Sequence, residues 1–271
     1  MRGLFVEARA EEEQQMIPST HHPLSLRWLY TKHHACRFEW IRAKIPSLGK
    51  ENLSIIELGC NDARSLTYVP VSVTRYLGFD AGWQSGWKDG TPFGFEAART
   101  CLLNDPAVEV RKSTSPRDIE SLDEQFDLAL VMETFEYLEP ASLDSYVAAI
   151  ARRVRPDGCL LSTMPNEKGL PLLVKALGSK ISGVPRSQYT ARQFCDAVLG
   201  RMDRVPRAPR GRKGFDYALI VRLLERHFPF VRLESVGLVN LPLRLSTNIG
   251  IVASRVPVPA RAEIPPSSAA A

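Results

Sequence analysis

The sequence has few cysteines, and their arrangement argues against two kinds of site. Five occur in 271 residues, and no two of them form a Cys-x-x-Cys pair. They are Cys36, Cys60, Cys101, Cys159 and Cys195. An odd number of scattered cysteines indicates neither a zinc site nor a disulfide framework. It suits a reducing compartment, so we expect a cytoplasmic protein.

Long apolar runs and a strong charge of one sign are also lacking. No stretch approaches the roughly 18 apolar residues that span a bilayer. Residues 1–15 have no apolar core of the kind that a secretory signal carries. We therefore expect no transmembrane segment, while peripheral membrane contact stays open. The net charge of +5 is modest, so we do not expect a nucleic-acid partner.

Short apolar runs alternate with helical patterns through most of the chain. They predict strands at 53–58, 76–79, 108–111, 126–132, 159–164, 231–236 and 249–254. They predict helices at 23–45, 63–69, 95–103, 141–154, 190–199 and 215–227. Ser142 is the predicted N-cap of the fourth helix, and Arg155-Pro-Asp-Gly158 predicts a turn. The alternation indicates an α/β fold with a doubly wound, mostly parallel sheet and helices on both faces.

The same pattern divides the chain into segments. Residues 1–20 are expected to be a disordered leader and residues 256–271 a disordered tail. Residues 21–50 form an N-terminal helical cap on the main domain, 51–255. Within that domain, 165–214 interrupts the alternation, so we expect it to cover the substrate.

Two strand ends carry an acid each. The run Ser54-Ile-Ile-Glu-Leu-Gly-Cys-Asn-Asp62 places Glu57 at the end of the first strand, and Arg75-Tyr-Leu-Gly-Phe-Asp80 places Asp80 at the end of the second. In an α/β sheet the carboxyl ends of parallel strands meet at a crevice where ligands bind. Two carboxylates there suit a ligand with an ammonium group and a ribose diol, as S-adenosylmethionine has.

Four segments together resemble the class I S-adenosylmethionine-dependent methyltransferases, of the type 11 and type 12 kind. They are Glu57-Leu-Gly-Cys-Asn-Asp62 with Asp80, the stretch 126–138, Val154-Arg-Pro-Asp-Gly158 and Met164-Pro-Asn-Glu167. They follow the family's order over residues 53–167. The resemblance implies a Rossmann-like seven-stranded sheet, S-adenosylmethionine as cofactor, and methyl transfer to a small-molecule or glycan acceptor, which we expect at oxygen.

The resemblance also implies which residues bind the cofactor. They are Glu57, Gly59, Cys60, Asn61, Asp62, Asp80, Ala81, Ser113, Thr114, Met132, Glu133 and Thr134. Gly59 has no Cβ and would leave room for the cofactor beside the backbone. Asp80 would accept hydrogen bonds from both ribose hydroxyls, Glu57 would accept from the ammonium group, and Ser113 with Thr114 would contact adenine.

The chain departs from the family at three positions. The further glycines of the first motif are replaced at Asn61 and Ala63, and the usual histidine after the fourth strand is Tyr137. A metal ion is therefore not expected. The candidate general bases are Glu136 and Tyr137, and the sequence does not choose between them. A plainer interpretation gives one of Glu133 and Glu136 a cofactor contact and the other a solvated helix start.

Other interpretations stay open. The altered motif fits a non-catalytic S-adenosylmethionine-binding regulator or subunit. The basic loop at 204–213 would suit phosphates of an RNA or a glycan precursor, or it is simply solvated. Trp83 and Trp87 could stack on a sugar or aromatic substrate, cover the adenine pocket or pack on the sheet edge. The pairs His21-His22 and His33-His34 are expected on a solvated helix. We place the acceptor pocket between that helix, residues 133–137 and the segment 165–214.

Overall fold

The structure is a computed structural model that describes residues 24–81, 105–182, 189–209 and 211–259. Within these ranges, seven strands form one sheet. They are β1 (Asn52–Leu58), β2 (Ser72–Asp80), β3 (Val108–Lys112), β4 (Phe126–Met132), β5 (Val154–Pro165), β6 (Phe230–Val236) and β7 (Asn248–Ser254). The strand order is β3-β2-β1-β4-β5-β7-β6.

The first five strands are parallel, and β7 runs antiparallel to both β5 and β6. This arrangement confirms the predicted doubly wound, mostly parallel sheet. The strand order reverses between β1 and β4, and ligands of open α/β sheets bind at the carboxyl side of such a reversal. The acidic ends of β1 and β2 and the residues after β4 all lie on that side.

Helices cover both faces of the sheet. They are α1 (Leu24–Lys44), α2 (Pro116–Glu120), α3 (Leu143–Arg153), α4 (Gly169–Ser182), α5 (Ala191–Val198) and α6 (Tyr217–Glu225). Successive residues of a strand point to opposite faces. Ile56 and Ala129 accordingly pack in one apolar cluster with α3 and α6. Ile55 and Leu128 pack in a second cluster with α1.

Some predicted elements differ in detail. The helix expected at 63–69 is a 3₁₀ turn, Arg64–Tyr68. The Ser142 side chain makes no cap bond to the helix N-terminus and donates instead to the Glu139 carbonyl. The turn expected at 155–158 is the start of β5, where the register with β4 is irregular. The helix α4 was not predicted, although its leucines and valine repeat at helical spacing.

The ends of the chain are only partly described. Residues 1–23 and 260–271 lie outside the described ranges, as do the helix expected at 95–103 and the two tryptophans Trp83 and Trp87. Residues 256–259, placed in the tail by the sequence, lie beside β6, because Arg232 donates to the Val258 carbonyl at 3.2 Å. None of the described helices is both long and apolar enough to cross a membrane.

The helix α1 is fixed to the sheet through Trp40. The indole Nε1 donates to Glu234 Oε2 at 2.9 Å, and Lys44 Nζ lies 2.8 Å from Glu234 Oε1. The ring covers Gly250 of β7 so closely that a Cβ there would lie 2.7 Å from two ring carbons. Glycine at this position therefore allows the cap helix to approach the sheet.

Gly250→Ala is expected to destabilise the protein by about 1–3 kcal/mol, since added bulk in a packed site forces side chains and backbone to shift. Gly237→Ala is the matched control, because its added Cβ would meet no atom closer than 3.6 Å. Urea unfolding of both variants measures the difference. Equal stabilities would show that α1 does not pack on Gly250.

Candidate functional site

The turn after β1 needs a glycine for two reasons. Gly59 has a φ of 74°, in the left-handed region. A Cβ on it would collide with the Thr134 hydroxyl and lie 2.6 Å from Thr134 Cγ2. That hydroxyl donates to the Leu58 carbonyl at 3.1 Å. The space that the sequence assigned to the cofactor is thus filled by Thr134, which connects the ends of β1 and β4.

Gly59→Ala should therefore cost about 2–4 kcal/mol of unfolding free energy, from the left-handed backbone and the collision. In a Thr134→Ala background the collision with the hydroxyl and the methyl is gone, so the same change should cost less. A double-mutant cycle by urea unfolding gives the coupling, expected at about 0.5–3 kcal/mol. An identical cost in both backgrounds would refute the role of Thr134.

The backbone of the first motif is left-handed at two positions that lack glycine. Asn61 and Ala63 have φ values of 47° and 54°, so non-glycine residues occupy left-handed positions at both sites. Asparagine tolerates that region better than alanine does. The backbone N–H of Asn61 donates a hydrogen bond to Asp80 Oδ2 at 3.0 Å. This bond joins the turn after β1 to the carboxyl end of β2.

Glu57 is buried beneath this turn. Its Oε2 accepts from the Ser65 hydroxyl and from the Tyr76 hydroxyl at 2.6 Å. Its Oε1 accepts none of the hydrogen bonds formed by the described residues. Burial raises the pKa of Glu57 to about 7. A carboxylate held in this way has one oxygen left for an ammonium group.

The ends of β2 and β3 are joined beside the same crevice. The Ser113 amide donates to the Asp80 carbonyl at 2.9 Å, while the Ser113 hydroxyl donates to Asp118 Oδ2 at 2.6 Å. Ala81 is half-buried and Thr114 is exposed. Cys60 is buried, and its sulfur fills the space beside Gly78. Asp62 pairs with Arg64 at 2.7 Å.

The end of β4 carries a strained acid. Glu133 has a φ of 48°, in the left-handed region, which a non-glycine residue adopts at a cost. Its Oε2 lies 2.7 Å from Arg212 Nη2 and 3.3 Å from Arg37 Nη1. Burial opposes ionisation, but Arg212 and Arg37 hold the pKa of Glu133 below its usual range. Met132, the last residue of β4, is buried.

Glu136 is more deeply buried than Glu133 and has fewer polar contacts. Its side chain is 0% exposed, and among the described residues neither oxygen has a hydrogen-bond partner. The nearest cation is Arg212, whose Nε lies 3.8 Å from Oε1. Burial and the charge of Glu133 raise the pKa of Glu136 to about 8. The solvated helix start considered from the sequence is therefore wrong for this residue.

Tyr137 is half-buried next to Arg212. Burial raises the pKa of its hydroxyl above the ordinary value. A general base works best when its pKa is close to the working pH. Of the two candidates, Glu136 therefore meets this requirement and Tyr137 does not.

Three parts of the chain meet at Glu133, namely the end of β4, the helix α1 and the loop before α6. Arg37 comes from α1, and Arg212 comes from the loop before α6. From α4, Lys175 pairs with the buried Glu167 at 3.0 Å. The acceptor pocket between these parts of the chain stays a prediction.

The histidines and the basic loop differ from the expectation. His33 and His34 are half-buried, and burial lowers the pKa of both, that of His34 to about 4. They are therefore not on a solvated helix face. Arg207 donates to the Phe135 carbonyl at 2.9 Å and to the Leu138 carbonyl at 3.0 Å. A solvated loop is accordingly wrong for Arg207 and Arg212, which point inward.

Several residues of the site had no signal in the sequence. Arg37 is one of three arginines on α1, and Lys175 lies on a helix that was not predicted. Ser65 and Tyr76, which bond to Glu57, belong to ordinary turn and strand patterns. Among the described residues, no group of three or more His, Cys, Asp or Glu side chains is arranged to hold a metal ion.

Comparisons with known proteins agree with this geometry. The structure is similar to the methyltransferase domain of bacterial CtHen1, with 17% identity over 82% of this chain and 98% of that one and a TM-score of 0.54. Magnesium protoporphyrin IX methyltransferase from Synechocystis PCC 6803, solved with bound SAH, gives 14% identity, 94% and 98% coverage, and a TM-score of 0.52. At these identities the similarity shows the fold.

The sequence supports the assignment at the level of the family. No curated protein sequence matches the chain significantly. The family model of a methyltransferase domain matches residues 30–201, which is more than half of the chain. The chain belongs to the S-adenosylmethionine-dependent methyltransferase family and uses that cofactor.

Proposed function

We propose that the protein transfers a methyl group to a hydroxyl of a small-molecule or glycan acceptor. The observation that carries this proposal is Glu136. It is a buried carboxylate without a hydrogen-bond partner in the described part, at the carboxyl end of β4. Its raised pKa suits a base that removes a proton near neutral pH, and a hydroxyl acceptor has such a proton to lose.

The cofactor contacts are part of the same proposal. Glu57 Oε1 would accept from the ammonium group, and Asp80 from the ribose hydroxyls. The backbone of 60–62 and Ala81 would line the methionine and ribose moieties. Ser113 and Thr114 would flank adenine, and Met132, Glu133 and Thr134 would lie beneath the sulfonium. When bound, S-adenosylmethionine supplies an electrophilic methyl group.

The chain's own residues would prepare the acceptor. Glu136 takes the proton of the acceptor hydroxyl, and Tyr137 orients that hydroxyl by a hydrogen bond. Arg212 covers Glu136 and holds Glu133 in its ionised form. An acceptor that reaches Glu136 must therefore displace the Arg212 side chain. Holding the reactants in line then supplies much of the rate.

A label-partition experiment tests the acceptor class. Purified protein is incubated with S-adenosylmethionine carrying tritium in the methyl group and with a cell extract divided into small molecules, RNA and protein. We expect label in the small-molecule fraction, with Glu136→Gln as the low-activity control. Repeating it with a ¹³C methyl group shows by NMR which atom is methylated. Label confined to RNA or protein, or bound to nitrogen, would contradict the proposal.

A further inference from the structure

Two arginines from separate elements share one carboxylate oxygen at the end of β4. Glu133 Oε2 lies 2.7 Å from Arg212 Nη2 and 3.3 Å from Arg37 Nη1. Each of the two guanidinium groups also has a buried Nε that finds no hydrogen-bond partner among the described residues. A buried donor without a partner costs free energy. The two arginines therefore have a capacity for binding an acceptor oxygen that Glu133 does not use.

The charged side chains around Glu133 carry an excess of positive charge. Four of them are cations and three are acids, namely Arg37, Lys175, Arg207, Arg212, Glu133, Glu136 and Glu167. The pKa of Glu136, raised by burial and by Glu133 to about 8, keeps this acid mostly neutral at pH 7. Two ionised carboxylates therefore face four cations, which leaves a net charge of about +2. Buried charges are normally paired, so this site suits an additional anion.

Arg212 lies between the proposed base and any acceptor that approaches it. Its Nε is 3.8 Å from Glu136 Oε1, so an acceptor that reaches this oxygen displaces the Arg212 side chain from Glu133. A neutral acceptor would leave the displaced guanidinium without a counter-ion, which is costly in a partly buried site. An oxyanion on the acceptor would replace Glu133 as its partner. Guanidinium groups bind carboxylates and phosphates through two parallel hydrogen bonds.

We propose that the acceptor carries an oxyanion, a carboxylate or a phosphate, that binds between Arg37 and Arg212. This inference rests on the proposed function, because it concerns the acceptor of the same methyl transfer. The methylated hydroxyl lies close to the oxyanion, since Arg212 contacts both Glu133 and Glu136. The carboxylate of the cofactor is the competing source of negative charge. Both arginines pair with the end of β4, however, whereas we propose that the backbone of 60–62 lines the methionine moiety.

Anion binding to the full chain tests the site without the acceptor. The probes are inorganic phosphate and acetate, titrated at constant ionic strength against chloride with saturating S-adenosylhomocysteine, and the readout is the unfolding temperature. Phosphate also stabilises proteins without binding to them, so each apparent dissociation constant is compared between variants. Arg37→Gln should raise it about ten-fold or more, and Arg37→Lys, which keeps the charge, should raise it less. Arg42→Gln, at an exposed arginine of the same helix, should leave it unchanged.

The charge of the methylated product tests the same inference by chemistry. The labelled small-molecule fraction from the label-partition experiment is passed over an anion-exchange resin at pH 8. We expect the label to be retained and to elute with salt. Label that phosphatase treatment releases from the resin identifies a phosphate, and label that stays bound identifies a carboxylate. With the identified acceptor, Arg37→Gln should raise KM about ten-fold to a hundred-fold and change kcat much less.

The outcomes separate this inference from the proposed function. Equal anion affinities in Arg37→Gln and the unaltered protein would overturn the inference, and so would a labelled product that passes through the resin. Weaker binding of S-adenosylhomocysteine to Arg37→Gln, with anion binding undiminished, would also overturn it and would assign Arg37 to the cofactor carboxylate. Label absent from the small-molecule fraction would contradict the proposed function, whereas the anion titration does not depend on methyl transfer.

Discussion

Glu136→Gln should lower kcat for methyl transfer by about 10²–10⁴-fold, the usual contribution of a positioned general base. Glutamine keeps the size of the side chain and removes its ability to take a proton. Cofactor affinity should change little, because Glu136 lies after β4 and not at the ends of β1 and β2. The measurement is kcat with the acceptor that the label-partition experiment identifies, and the matched control is Glu139→Gln, an exposed acid three residues on.

The pH dependence of the same variant gives a second result. A base with a pKa of about 8 is protonated below that value, so kcat of the unaltered protein should rise with pH and level off above it. The variant should lack this rise.

Stability offers a readout independent of activity. The folded pKa of Glu136 exceeds its ordinary value of 4.5, so the folded state binds the extra proton between these values. The stabilisation from that proton is present below about pH 4.5 and is lost as the pH rises through about 8. The variant should therefore gain stability relative to the unaltered protein as the pH increases through this window. A constant difference would show that Glu136 does not titrate there.

Asp80→Ala should weaken the binding of S-adenosylhomocysteine by about a hundred-fold or more. Each hydrogen bond to a charged group is worth about 1.5–3 kcal/mol, and both ribose hydroxyls are expected to donate to this carboxylate. Equilibrium dialysis with tritiated S-adenosylhomocysteine measures the change. The variant also loses the hydrogen bond from the backbone N–H of Asn61. Part of the lost affinity is therefore expected to come from a change in the turn after β1.

Asp80→Asn separates these two effects. It keeps an oxygen that can accept from Asn61 but removes the charge that favours the ribose hydroxyls. We expect an affinity between those of the unaltered protein and Asp80→Ala. Unchanged affinity in both variants would show that the ribose is bound elsewhere.

The sheet was predictable because its residues follow simple patterns. Buried parallel strands are continuous apolar runs, as in 126–132, and helices begin at residues such as Thr190, whose hydroxyl caps α5. Two acids at neighbouring strand ends indicated the crevice. These features depend on residues close together in the chain.

The rest of the site depends on contacts between distant residues. Nothing in the sequence shows that Arg37 and Arg212, far apart in the chain, share Glu133. The glycine at 59 was singled out for a space that Thr134 fills. The left-handed backbone at Asn61 and Ala63 was hidden because the residues there are not glycine. The helix α4 was missed although its leucines and valine repeat at helical spacing, because it also contains Gly169, Pro171 and Gly178, residue types that favour loops.

The strain at Glu133 supports the placement of the acceptor beside it. Non-glycine residues in the left-handed region cost about 1–3 kcal/mol and persist where the surroundings hold them. Here the surroundings are two arginines from two separate elements. The Arg212 guanidinium also lies 3.8 Å from Glu136, so one cation contacts both acids at the β4 end.

The most direct test of the account is calorimetric titration of the purified chain with S-adenosylmethionine and S-adenosylhomocysteine. The crevice between β1 and β2, with Glu57 Oε1 and Asp80, predicts one-to-one binding of both ligands and a raised unfolding temperature in their presence. No heat and no thermal shift with either ligand at millimolar concentration would contradict it.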